Sequence, residues 1–416
     1  MNTSDRSLDI TLFGATGFVG KLTAGYLAAN APSHVRIALA GRNRQKLEAT
    51  RREVAASHPR AAEFPLVIAD SADRQSLAAM ARNTTVVIST VGPYYRYGLP
   101  LTTACAELGT HYVDLTGEVL FIRDSIRANH SRAQESGARI IHSCGFDSVP
   151  SDMGMLLLHK ATQSTGEELA QATMLVKMKG GVSGGTVDSM REQFAATKEN
   201  RDLARAVADP YALSPQPDQE PDLGKQPDYG VIRTDKVGAR QGWAAPFVMA
   251  GVNTRVVRRS NSLLGQAYGE KLRYSEYMSV GTGMRGRLRA YGIAAGLGAV
   301  MLALSQPRLR GLLSRWVPEP GEGPDEAARD SGFFSCSFYG ATPSRRTITA
   351  SLGLGADPGY KGTALMLSQA ALTLVEEGQD LPDMAGVLTP ATGLGLPYAR
   401  RLAEAGVQMS PKPWEA

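Results

Sequence analysis

The sequence predicts an α/β protein, with a parallel sheet at its N-terminus and a second domain of α+β character behind it. Three observations carry this. A short apolar run, residues 10–13, leads directly into Gly14, Gly17 and Gly20 and then into an uninterrupted helical stretch from about 18 to 30. Further apolar runs at 35–40, 64–69, 85–89, 111–115 and 139–142 alternate with helical stretches, the order of a doubly wound sheet. From about residue 168 an alternating, strand-like texture replaces that order.

The first unit reads as strand, tight turn and helix of a dinucleotide-binding site. Gly14 turns the backbone off the strand end, Gly17 lets a pyrophosphate approach the helix amides, and Gly20 lets the helix pack on the sheet. The spacing is Gly-x-x-Gly-x-x-Gly rather than Gly-x-Gly-x-x-Gly. After the second strand, where an NAD site carries an acid, stand Arg42, Asn43 and Arg44, with Lys46 one turn on. Cations there suit a ribose 2′-phosphate, so NADP(H) is expected over NAD; the plainer alternative is a basic start to a helix at 45–56. The third strand ends at Asp70, expected to cap the adenine amino group or the next helix.

The fully apolar fourth strand fits a buried parallel position. It runs into Thr90-Val91-Gly92-Pro93-Tyr94-Tyr95, beside where nicotinamide is expected. Tyr94, Tyr95 and Tyr97 are candidates to donate a proton or pack the ring; the alternative is that they are loop aromatics. Asp114 and Glu118 follow the fifth strand, at a carboxyl strand end, where ligands bind in such sheets; Glu118 alternatively caps the helix 119–136. The sixth strand delivers the polar stretch 143–152, expected as domain hinge and active-site wall, with Asp147 inside it. Ser148, Ser151 and Asp152 are expected to cap a helix at 153–159.

In the second domain, strands are expected at 169–179, 271–278, 333–339 and 346–352, the last two as a hairpin. A helix at 186–200, capped by Thr186, is expected after a glycine-rich turn containing Gly180, Gly181, Gly184 and Gly185, and residues 214–228 read as a surface loop or partly disordered stretch. Residues 235–242 and 243–251 read as loop and helix, and 252–259 as a strand or helix edge. No charge occurs from 290 to 307 and no acid between Glu276 and Glu319, while arginines flank the run on both sides. The apolar segment 290–316 therefore has three readings: contact with a membrane surface, a buried or dimer-forming helix, and a true span. A long helix at 363–378 and a final helix at 399–405 complete the chain.

At 416 residues the chain has room for two or three domains, and 43% hydrophobic residues suit a substantial interior. A net charge of +5 fits an anionic cofactor and does not demand nucleic acid. Cys105, Cys144 and Cys336 form neither a disulfide framework nor a metal-ligand spacing, so no metal is expected. The first nine residues lack the basic-then-apolar order of a leader. A cytoplasmic protein is expected, with peripheral or monotopic contact at the inner membrane face as the extension.

FGATGFVG at 13–20, AGRN at 40–43, VGPYYRYG at 91–98, YVDLTGE at 112–118, CGFDSVPSD at 144–152, GYKGTA at 359–364 and GVLTPATGLG at 386–395 together resemble the saccharopine dehydrogenase-like oxidoreductases, over nearly the whole chain. Within them the chain looks closest to the bacterial trans-acting enoyl reductase type, whose mycobacterial members serve polyketide-derived lipid synthesis and whose animal relatives are associated with membranes or lipid droplets. The resemblance implies a Rossmann domain over 1–150, a second domain with a mixed sheet over 151–355, and a C-terminal segment, 356–416, returning to the first domain. It also lends weight to the membrane reading and to a hydrophobic substrate.

The leading expectation is an NADPH-dependent reductase of a lipid- or polyketide-like enoyl or carbonyl compound. Gly14, Ala15, Thr16, Gly17, Phe18 and Val19 are expected around the pyrophosphate, Arg42, Asn43 and Lys46 at the 2′-phosphate, and Thr90, Val91, Gly92 and Tyr94 beside the nicotinamide ribose. Tyr94, Tyr95 and Asp147 are the candidate proton donors. Competing readings are imine or ketone reduction of a soluble acid, a non-catalytic NADP(H)-binding membrane scaffold, and an epimerase, which lacks its Tyr and Lys pair here. A homodimer is possible within the leading reading.

Overall fold

The computed structural model describes residues 6–180, 189, 192–193, 195–198, 200–305 and 326–415. Residues 181–185 of the proposed glycine turn, the Thr186 cap and residues 306–316 of the apolar segment lie outside the described residues.

Two seven-stranded sheets organise the chain. The first contains β1 (Leu8–Phe13), β2 (Ile37–Gly41), β3 (Leu66–Ile68), β4 (Thr84–Ser89), β5 (His111–Asp114) and β6 (Arg139–Ile141), with a late addition, β13 (Gly386–Leu388). Its order is β13-β6-β5-β4-β1-β2-β3, and every pairing is parallel. Successive side chains point to opposite faces. Ile10, Leu12, Val86, Ile88, Val113 and Ile141 thus enter one core, while Phe13, Ala40, Val87, Tyr112, Ile140 and Val387 enter another on the reverse face. Helices cover both sides, which is why these strands read as unbroken apolar runs. One cover comes from far along the chain: the helix Thr363–Glu376 packs on β4, β5 and the helix Phe18–Asn30.

The second sheet contains β7 (Gln171–Lys179), β8 (Ile232–Arg233), β9 (Trp243–Pro246), β10 (Arg273–Gly281), β11 (Phe333–Ala341), β12 (Thr347–Leu354) and β14 (Gln408–Ser410). Its order is β14-β12-β11-β7-β10-β9-β8. Only β7 and β10 pair in parallel; the others are antiparallel, giving the mixed sheet. In β11 the alternate residues Phe334, Cys336 and Phe338 are buried. The C-terminal segment therefore contributes a strand to each sheet, β13 to the first and β14 to the second.

Two sequence expectations change. The stretch 243–251 supplies β9 before the helix Ala250–Leu263, so 252–259 is helical rather than a strand. That helix buries three arginines. Arg255 pairs with Asp228 at 2.7 Å and donates to the Val207 and Ala208 carbonyls. Arg258 donates to the Pro210 and Tyr274 carbonyls, and Arg259 to those of Leu213 and Val387. These bonds anchor the stretch leading into the expected surface loop, burying Ala212, Leu213 and Ser214, while residues 215–219 of that loop are exposed as expected. Burial pushes the Arg259 guanidinium down to about 9. Lastly, the strand β14 follows the final helix, Gly395–Glu404, where no strand was expected.

Candidate active site

The strand order of the first sheet reverses between β1 and β4, which opens a crevice past their carboxyl ends. Phe13 registers with Ser89, so the glycine turn and the loop after β4 emerge side by side. Gly14 has φ +91°, a left-handed conformation. A Cβ on Gly20 would lie 2.2 Å from the Gly14 carbonyl oxygen, so the helix Phe18–Asn30 can start this close to the turn only with glycine there. Gly17 is the N-cap residue; it offers no side-chain acceptor, and no acid stands in the first turn. The amides of Phe18 and Val19 thus lack a side-chain partner at the positive end of a helix, which fits a pyrophosphate. The Thr90 hydroxyl donates to the Gly14 carbonyl at 3.1 Å and its amide to Phe13 at 2.9 Å, tying the two crevice walls. Tyr360 meets the Phe18 ring edge-on at 4.9 Å, and the Arg329 guanidinium lies 5.6 Å from that ring's centre.

At the other end, Arg42 follows β2 directly and is exposed. The neighbouring groups divide their roles. Asn43 accepts from the Lys46 amide at 3.0 Å and N-caps the helix Arg44–Ser57, while Arg44 faces Glu48 at 3.8 Å. That leaves the Arg42 and Lys46 side chains, both exposed, facing outward from the end of β2. Asp70 caps no helix: it accepts from the Ala72 amide at 3.0 Å in the turn, and Asp73 caps the helix Arg74–Arg82.

The loop after β4 passes a cis Gly92–Pro93 bond and becomes a short helix, Tyr94–Tyr97, so the three tyrosines stand on a helical turn. Tyr94 is buried, its ring stacked on Phe121, its hydroxyl donating to the Ser89 carbonyl at 2.9 Å. Burial holds that phenol well above its usual range. Its proton is thus committed to the backbone. Tyr95 is only half-buried. Glu118 does not cap its own helix with its side chain; the carboxylate reaches the Tyr94 and Tyr95 amides instead.

Beyond β5 and β6 two carboxylates have opposite surroundings. Asp114 is buried and accepts from the Thr116 and Ser143 amides, while its second oxygen meets His142 Nδ1 at 2.7 Å. His142 Nε2 in turn meets the Ser125 hydroxyl at 2.9 Å. The sequence reading missed His142. Its signal was position: Asp114 and His142 end neighbouring parallel strands.

The next loop is anchored differently from expectation. The helix begins at Val149, so Ser151 and Asp152 lie within it, and Ser148 makes no cap bond. Ser148 instead donates to Asn253 Oδ1 at 2.9 Å, and Asn253 donates to Glu276 at 3.0 Å. Asp152 accepts from the Ser260 hydroxyl and from the Ala391 amide at 2.7 Å, linking second domain and returning segment. Burial pushes Glu276 up to about 7 and Asp152 to about 6. Asp147 lies between these anchors, half-buried. A Cβ on Gly117 would sit 3.9 Å from its carboxylate and 3.3 Å from the Met249 methyl, which places Asp147 among the first-domain loop and the second domain's Met249. Burial alone raises Asp147 to about 6.

The family described as saccharopine dehydrogenase NADP binding domain matches residues 10–141. A Mycobacterium tuberculosis (strain H37Rv) protein assigned as a trans-acting enoyl reductase is 45% identical over 417 residues, covering 98% of each chain. The trans-acting enoyl reductase of Mycobacterium ulcerans is 39% identical over 419 residues, covering 99% of each. Among solved structures, saccharopine dehydrogenase (L-Glu forming) from Saccharomyces cerevisiae superposes with a TM-score of 0.50 at 14% identity, over 97% of this chain and 99% of that one. At that identity the likeness is one of fold.

Proposed function

We propose, from the premise that the chain belongs to the trans-acting enoyl reductases within the saccharopine dehydrogenase-like oxidoreductases, that it reduces an enoyl or carbonyl group of a hydrophobic, lipid- or polyketide-like compound. NADPH, when bound, supplies the hydride. The chain's own residues do the rest. The glycine turn and the amides of Phe18 and Val19 hold the pyrophosphate, with Arg329 as a further cation across the Phe18 ring. Arg42 and Lys46 receive the 2′-phosphate. Thr90, Val91 and Gly92 border the nicotinamide ribose.

After hydride reaches the β-carbon of an enoyl group, the α-carbon needs a proton. Asp147 is the donor in this reading, with Tyr95 as the neighbouring alternative. The observation that carries it is a half-buried carboxyl group, raised by burial to about 6, at a carboxyl strand end. Tyr94 leaves the donor set because its hydroxyl is already bonded to Ser89. NADPH oxidation by medium-chain trans-2-enoyl thioesters, set against saccharopine-like keto and imino acids, tests the substrate class. Turnover with the soluble acids alone would overturn it. Arg42→Ala should weaken NADPH binding on the order of 100-fold and leave NADH binding unchanged; equal losses would overturn the 2′-phosphate role.

We further propose that the helix Gly283–Ser305 rests on an anionic membrane surface. It exposes Met284 (66%), Leu288 (67%), Tyr291 (53%) and Leu302 (59%), with Arg285, Arg287 and Arg289 at its start and no acid within it. No helix of the described residues is long and apolar enough to cross a membrane. Vesicles rich in phosphatidylglycerol should float the protein, and Leu288→Glu should abolish flotation. A concentration-dependent dimer that never floats would mean a second copy covers this face.

A further inference from the structure

We propose that Glu118 is a positioning residue through which a second-domain segment sets the backbone bordering the nicotinamide. This rests on the cofactor reading above.

The Glu118 side chain is 1% exposed, just past β5. Three donors converge on it. The Tyr94 amide reaches Oε1 at 2.9 Å and the Tyr95 amide reaches Oε2 at 2.6 Å. The Ser189 hydroxyl reaches Oε1 at 2.6 Å. The two amides open the helix Tyr94–Tyr97, whose preceding residue, Pro93, has no side-chain acceptor to offer. A carboxylate takes that place from 23 and 24 residues downstream. Amides bonded to a buried carboxyl group with no side-chain cap of their own are held strongly.

The consequence lies in how the loop after β4 is held. Its start is tied to the glycine turn by Thr90, wholly within the first domain. Its end is tied to Glu118, and one oxygen of Glu118 is shared with Ser189, which follows β7 in the second domain's part of the chain. The helix Val119–Ser136, which Glu118 precedes, also packs against the second-domain helix Arg201–Ala208. The position of Ser189 therefore reaches the residues beside the nicotinamide through this carboxylate. Among the described residues the adenosine end, at Arg42, has no such tie.

The test uses full-length protein, with Glu118→Gln and Ser189→Ala, and two probes: 2′,5′-ADP, which carries only the adenosine end, and NADPH. In Glu118→Gln, 2′,5′-ADP affinity should stay within about twofold while NADPH affinity falls about tenfold and the bound-nicotinamide fluorescence drops. Ser189→Ala should show the same split at about threefold and, without any cofactor, faster hydrogen exchange at the Tyr94 and Tyr95 amides. An unchanged ratio of NADPH to 2′,5′-ADP affinity in Glu118→Gln overturns the positioning role. Unchanged exchange in Ser189→Ala overturns the link to the second domain. If Glu118→Gln does not fold, Ser189→Ala decides by the same two readouts. Failure of the unaltered protein to bind 2′,5′-ADP would instead sink the cofactor reading, and the exchange measurement would still judge the tie.

Discussion

Asp114 ends one parallel strand and Asp147 follows its neighbour, and the chain treats them in opposite ways. Asp114 is ringed by the Thr116 and Ser143 amides and by His142, which continues to Ser125. Through these bonds the group ties the ends of β5 and β6 to the helix Val119–Ser136. Asp147 lies between anchored neighbours, Ser148 held by Asn253 and Asp152 by Ser260 and Ala391, and its own carboxyl group is raised by burial. A bonded carboxylate serves the fold, whereas a raised one at a domain junction is poised to give up a proton near neutrality. Position at a strand end alone does not separate the two; the bonding environment does.

The comparison can be broken by substitution. His142→Ala should cost the largest amount, about 3 kcal/mol of stability, because it leaves a buried Asp114 short of a partner; chemical denaturation measures this, and NADPH affinity should not move. Asp147→Asn should lower kcat/KM on the order of 100-fold, equivalent to about 2.7 kcal/mol, without loss of NADPH binding. It should also remove a fall in rate as pH rises through about 6, where the donor form of Asp147 is lost. Retained activity with an unchanged profile would move the donor to Tyr95. The same variant has an opposite effect on stability. The folded carboxyl group titrates near 6 and its ordinary value is 3.8, so the wild-type protein carries no penalty below about pH 4, an increasing one between, and the full penalty above 6. Asp147→Asn should therefore be about 2 kcal/mol more stable than wild type at pH 8 and no more stable at pH 4, as thermal melts at the two values would read. Tyr94→Phe, removing one bond to the Ser89 carbonyl, should cost about 1 kcal/mol and leave the rate intact; a lost rate would return Tyr94 to the chemistry.

Much of the first sheet was legible because its determinants are local. The glycine turn, the apolar strands and the basic Arg42 region each sit within a few residues of one another. The role of Glu118 was not legible, since an acid before a helix has a local partner by default and here takes a distant one. The three arginines of the helix Ala250–Leu263 read as a charged face; their burial is matched by carbonyls 46 to 48 residues earlier, which no periodicity reports. In the second sheet, alternation marks the strands yet not their order, because β7 sits between β10 and β11, strands that arrive far later in the chain. Asp152, and Glu276 in its bond to Asn253, were hidden for the same reason: those partners lie on other elements.

The late strands carry a consequence for biosynthesis. On a ribosome the first six strands of the Rossmann sheet emerge early, but β6 keeps an open hydrogen-bonding edge until Gly386–Leu388 has left the exit tunnel, and the face under Thr363–Glu376 stays bare almost as long. The nascent chain thus spends most of its translation with a sticky, unfinished sheet margin.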